Sequence, residues 1–151
     1  MAEYKNYKAL LVKNRTSDVV DTNDRWDILV KSCPFQIIPE TKELAVNDWG
    51  DEDGEDVFFP ERMVYKAYDL QVTFLCVTPH GQANSKIREF WEFLQQPPLQ
   101  LHDLYTNNGR QNVYYKSYSP KTFYRRDNIN DIVEFSLTFR VCDPATNISL
   151  K

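Results

Sequence analysis

Hydrophobic and polar positions alternate with a period of two over Asp131 to Asp143, the longest patterned stretch of the chain. Val133, Phe135, Leu137, Phe139 and Val141 fall on one side of an extended backbone, and Glu134, Ser136, Thr138 and Arg140 on the other. A helix would scatter those apolar residues round its circumference, so the stretch predicts a strand with one face on a core. Pro144 ends it, because proline has no amide hydrogen for a ladder. Tyr68 to Val77 repeats the pattern, with Tyr68, Leu70, Val72, Phe74 and Cys76 set against Asp69, Gln71, Thr73 and Leu75. These two strands are expected to be neighbours or close to it. Weaker signals predict strands at Tyr7 to Val12, at Trp26 to Val30 and at Pro34 to Ile38. The prolines Pro34 and Pro39 make the last a short edge strand or an ordered extended segment.

The period changes to 3.6 once. Ala83, Ile87, Phe90, Trp91 and Leu94 form one apolar stripe, with Lys86, Arg88, Glu89 and Glu92 off it, and Pro97-Pro98 follows. This predicts a helix that lays its stripe on a sheet or across the open end of a barrel. Its polar face carries both signs of charge, which argues against a membrane surface. Leu99 to Tyr105 and Asn112 to Tyr118 flank Thr106-Asn107-Asn108-Gly109-Arg110, and Asn-Gly at that place predicts a hairpin.

Between Asn47 and Pro60 the pattern gives way to Asn-Asp-Trp-Gly-Asp-Glu-Asp-Gly-Glu-Asp-Val-Phe-Phe-Pro. Asp48, Asp51, Glu52, Asp53, Glu55 and Asp56 repel one another, so an extended, solvated or partner-facing loop is expected. A helix-loop-helix calcium site does not fit: with Gly54 as its central glycine, the first and last ligand positions fall on Trp49 and Pro60.

At 151 residues the chain is the size of one domain, and residues 1–151 are read as one. The net charge of −4 and pI near 5.2 leave no basic field to hold a polyanion. Tyr114, Tyr115, Tyr118, Phe123 and Tyr124 do lie among Lys116, Lys121, Arg125 and Arg126. That interleaving suits single-stranded nucleic acid, but cross-strand aromatic pairing is the commoner cause. The N-terminus lacks the apolar segment of a signal peptide, and no apolar run approaches the roughly 20 residues that span a bilayer, so no membrane partner is expected. Cys33, Cys76 and Cys142 are odd in number and far apart, and read as reduced thiols. His80 and His102 stand without metal-ligand spacing, and no phosphate-binding loop or nucleophile elbow occurs. No catalytic residue, cofactor or metal is therefore assigned, and the chain is not read as an enzyme.

The order of these features resembles the tail proteins of long-tailed bacteriophages, in particular the N-terminal domain of distal-tail proteins and the related tail-tube and injection-tube subunits. The residues that carry the resemblance are Asp51-Glu52-Asp53-Gly54-Glu55-Asp56-Val57, the Tyr65 to Phe74 strand, the Ile87 to Leu94 helix, the hairpin, and Phe135 to Pro144 ending in Asp-Pro. The resemblance implies an α+β, mainly β fold: a two-sheet antiparallel β-sandwich or barrel with one flanking α-helix. It also implies six-fold rings in the virion, made in the cytoplasm of the bacterial host, stacked on other tail proteins above and below, with DNA passing through the channel unbound. The chain stops just after Asp-Pro, with no second, carbohydrate-binding domain, which favours a plain ring-forming role over host recognition. A near-neutral or acidic lining would let DNA slide. The expected subunit interface is the acidic loop, Asp51, Asp53, Glu55 and Asp56 with Val57, Phe58 and Phe59 as anchor, meeting Lys121, Arg125 and Arg126 of the next subunit. The alternative is a small β-sandwich adaptor that holds a sugar or peptide on the Tyr114 to Tyr124 cluster.

Overall fold

The computed structural model describes residues 7–125 and 129–150, Arg125 by its backbone alone. In chain order the elements are β1 (Leu10–Lys13), β2 (Val20–Asp21), α1 (Thr22–Trp26), β3 (Ile28–Ser32), β4 (Val46–Asn47), β5 (Asp56–Val57), β6 (Tyr68–Pro79), α2 (Ala83–Phe93), β7 (Leu99–Asp103), β8 (Asn108–Arg125) and β9 (Asn130–Val141). Seven strands form one antiparallel sheet in the order β2-β1-β7-β8-β9-β6-β3, and β4 pairs with β5 separately. This is the mainly β, α+β class that the alternation predicts, with α2 as the flanking helix.

The two best-patterned strands are neighbours. Tyr68 lies opposite Val141 and Pro79 opposite Asn130, in unbroken register. Directly opposed residues share a face, so Leu70 meets Phe139, Val72 meets Leu137 and Phe74 meets Phe135, all buried. Phe74 and Phe135 stack with centroids 5.4 Å apart, and Phe90 of α2 caps Phe74 edge-on at 5.3 Å. The helix stripe thus lies on the apolar face of the sheet.

In place of two separate sheets there is one sheet that curls until its margins meet. Long twisted strands coil in this way when one face must wrap a core. The ladder does not close: Lys8, just ahead of β1, makes a single isolated bridge to Val30, whose amide donates to the Lys8 carbonyl at 2.9 Å. Beside it the buried Thr22 hydroxyl accepts from the Leu10 amide at 3.1 Å and donates to the Ile28 carbonyl at 2.9 Å. A side chain therefore satisfies the main-chain groups of β1 and β3 where the ladder stops.

Three strand expectations change. Trp26 ends a helix instead of starting a strand: Asp21 accepts from the amides of Asn23 and Asp24, and Asp27 leaves the helix with φ 57°. The indole is buried all the same, 5.1 Å from Phe90 and 5.2 Å from Phe93. Pro34 to Ile38 forms no strand; Phe35 is buried and Ile37 and Ile38 are exposed. The strand expected to end at Tyr118 runs on to Arg125 through Pro120, with bulges beside Lys116 and Lys121. Proline is tolerated there because β7 stops at Leu99, opposite Val113, so the far side of β8 has no neighbour to receive an amide.

The chain after β9 straps back over the β7–β8 turn. The Ile148 amide donates to the Gly109 carbonyl, and Gly109 in turn donates to Asn147 Oδ1 at 2.8 Å. A Cβ at Gly109 would overlap the Ile148 carbonyl oxygen. The buried His102 accepts from the Leu150 amide at Nδ1, which leaves Nε2 to donate to Asn107 Oδ1 at 3.0 Å. Burial pushes the Cys76 thiol up to about 12, and burial, with Asp103 nearby, pushes Cys33 up as well. Among the described residues no helix is long and apolar enough to cross a membrane.

Candidate functional site

The acidic segment is the tip of a projecting arm. Between Glu40 and Lys66 the chain runs out and back: Lys66 donates to the Glu40 carbonyl at 2.7 Å and Lys42 to that of Val64 at 2.8 Å. Further out, Phe58 donates to Ala45 at 2.9 Å, and β4 pairs with β5, Val46 opposite Val57. No residue from Gln36 to Ala67 is buried. Asp51, Asp53 and Glu55 are exposed in the tip, and Asp56 accepts from the Trp49 indole at 2.9 Å. Val57 is half-buried, whereas Phe58 and Phe59 are 71% and 74% exposed. The root of the arm, by contrast, is held. Arg110, itself buried, donates to the Gln36 carbonyl at 2.8 Å and to Asn147 Oδ1 at 3.2 Å, and stacks over Phe35.

The expected basic partner residues lie elsewhere. Lys121 is exposed at the second bulge of β8, and Arg125 ends that strand. Arg126 falls outside the described residues. Among the described residues no ion pair joins the arm's carboxylates to Lys121.

The aromatic run Tyr114 to Tyr124 does not form one pocket. Tyr115, Tyr118 and Phe123 oppose Phe139, Leu137 and Val133 and share the core side, whereas Tyr114 and Tyr124 oppose Arg140 and Ile132 on the other. The bulges shift the alternation, so sequence neighbours part company.

That other side, built from β6, β9 and β8, is polar. Asp69 accepts from Lys116 Nζ at 3.1 Å and from Arg140 Nη1 at 3.1 Å, and these hydrogen bonds, Lys116 first, hold its carboxyl below the usual range. Lys31 donates to Glu134 at 2.8 Å, a contact that raises the lysine's pKa. Thr73 and Ser136 share a hydroxyl hydrogen bond at 3.1 Å, with Gln71, Ser117, Ser119 and Thr138 around them. Two carboxylates stand against three cations, each cation paired, so these groups leave a single net positive charge. Sequence reasoning missed the Asp69 cluster; its signal was the polar half of the alternation in both long strands.

On the core side, between α2 and the far part of β8–β9, a cavity of about 460 Å³ stays open. Ile87, Trp91, Tyr118, Val133 and Leu137 line it, and Arg88 and Asn84 stand at its rim.

A curled antiparallel sheet with one covering helix is a fold that this chain holds in common with a solved bacteriophage protein. The Dit protein of phage SPP1, described as a paradigm of the hub adsorption apparatus in phages that infect Gram-positive hosts, has this fold over 91% of the chain, at a TM-score of 0.59 and 14% identity. The chain spans about half of Dit, 51% of its length. By sequence, no family model and no curated protein matches.

Proposed function

We propose that this chain is a structural subunit of a bacteriophage tail. It forms rings, six subunits round, that build or cap the channel for DNA, with other tail proteins above and below. It is made in the cytoplasm of the host bacterium and resides in the virion. The observation that carries this reading is the fold held in common with the SPP1 hub protein over nearly the whole chain. Two features of the geometry support it. The polar face of β6–β9–β8 pairs its own charges and offers hydroxyls between them, a surface along which a polyanion slides without accumulating counter-charge. The arm exposes large apolar side chains that its own fold leaves uncovered, as an assembly subunit needs.

Light scattering coupled to size exclusion, over a concentration series at low and high salt, tests the reading. A species near six subunits, or open-ended polymers, is the expected result, weakened by salt and by charge reversal at Lys121, Arg125 and Arg126. A mass fixed at 17.8 kDa, both alone and mixed with the other tail proteins of the same virion, would sink it.

A further inference from the structure

The cavity between α2 and β8–β9 and the tip of the arm are two apolar surfaces left open on one chain. Phe58 and Phe59 are adjacent, exposed and carried on a two-stranded ribbon, which has little stability in water without something to pack on. The groove is concave, largely apolar and of a size that takes a pair of aromatic side chains. Trp91 at its lip is 39% exposed, and Tyr118 and Phe123, on the same face as Leu137 and Val133, extend the apolar surface along β8.

Charge favours the match. The tip brings Asp51, Glu52, Asp53, Glu55 and Asp56, whereas the groove carries Arg88. The carboxylates of α2, Glu89 and Glu92, face away from it, toward Arg25 and Asn14.

Within one chain the two surfaces do not meet, since Phe58 and Phe59 stay exposed. The arm leaves the sheet beside Tyr68, opposite Val141, whereas the groove centres on Val133 to Leu137. Leu137, at the near end of the groove, lies about 13 Å from Val141 and Val133 about 26 Å, at roughly 3.3 Å per strand residue. None of the residues lining the groove comes from the arm.

We propose that Phe58 and Phe59 of one copy insert into the α2/β8–β9 groove of a second copy, with the acidic tip lying beside Arg88. This rests on the assembly reading above and names the two surfaces that meet. Because they are different patches, the contact is head-to-tail, the kind that propagates and closes into a ring when the rotation permits.

Two variants test it. Phe58→Ser with Phe59→Ser removes the anchor and leaves the groove; Trp91→Glu blocks the groove and leaves the anchor. Each alone is expected to raise the concentration needed for assembly by at least about thirty-fold, the scale for loss of a buried aromatic anchor. Mixed one to one, they restore a single productive interface and form a heterodimer that grows no further. Arg88→Glu, at an exposed position, serves as a second groove variant should Trp91→Glu disturb the helix. If the wild type assembles and the arm variant assembles equally well, the arm–groove pairing is wrong while the ring reading stands. Arm and groove variants that both fail alone and stay monomeric when mixed also overturn it. A wild type that never assembles, alone or with its tail neighbours, overturns both.

Discussion

Thr22 holds the seam between β1 and β3 with one hydroxyl that both accepts and donates. Thr22→Val keeps the shape and leaves the Leu10 amide and the Ile28 carbonyl buried without partners. Thermal or urea unfolding is expected to show a loss of about 1–3 kcal/mol, the cost of stranding buried polar groups. Thr22→Ser, which keeps the hydroxyl, is expected to lose much less. Asp69 acts at the same scale through charge. Its folded pKa is lowered, so the stability it lends is present above the ordinary carboxylate value and is lost as pH falls through the lowered one. Asp69→Asn should remove that acid-range dependence. It also leaves Lys116 and Arg140 without their carboxylate. On the channel reading, duplex DNA should then bind the variant in a salt-sensitive way at neutral pH, where the parent shows little binding; equal binding by both would argue that this face does not meet DNA.

Elements differ in how much they owe to their own chain. Phe90 of α2 touches Trp26 and Phe74 and is fully buried, so Phe90→Ala is expected to cost about 3–5 kcal/mol of monomer stability. Phe59→Ala, on the arm, should change monomer stability by no more than about 0.5 kcal/mol. Paired melting curves at dilute concentration check the contrast; a large loss at Phe59 would mean that the arm packs on its own core in solution. Legibility follows the same division. β6, β9 and α2 were readable because each has one face on the core and the other in water, which imprints a period on the residues. Helix α1 was not, since five residues are too few to show a period, although Asp21 ahead of Thr22-Asn23-Asp24 carries the cap signal. The arm read as a loop because β4 and β5 are two residues each and bury nothing, so no alternation marks them.

At the scale of the whole molecule, the alternation and the single 3.6-period stripe already implied the mainly β class, the pairing of the two long strands and the placing of a helix on their apolar face. Those follow from local periodicity, because burial acts on each residue's side of the backbone. The exposure of the acidic run from Asp51 to Asp56 and of Phe58 and Phe59 beside it was also legible, since a cluster of like charges is a property of adjacent residues. The seam at Thr22, the distance between arm and groove and the division of the tyrosines between two faces were not legible. Each depends on which remote strands meet and in what register, and the bulges beside Lys116 and Lys121 shift that register without a mark in composition. The polar face is the clearest case: Asp69, Lys116 and Arg140 are far apart along the chain and form one paired cluster, with a single net positive charge, only because β8, β9 and β6 lie side by side. Long-range pairing sets which charges cancel, and hence what kind of surface the fold presents.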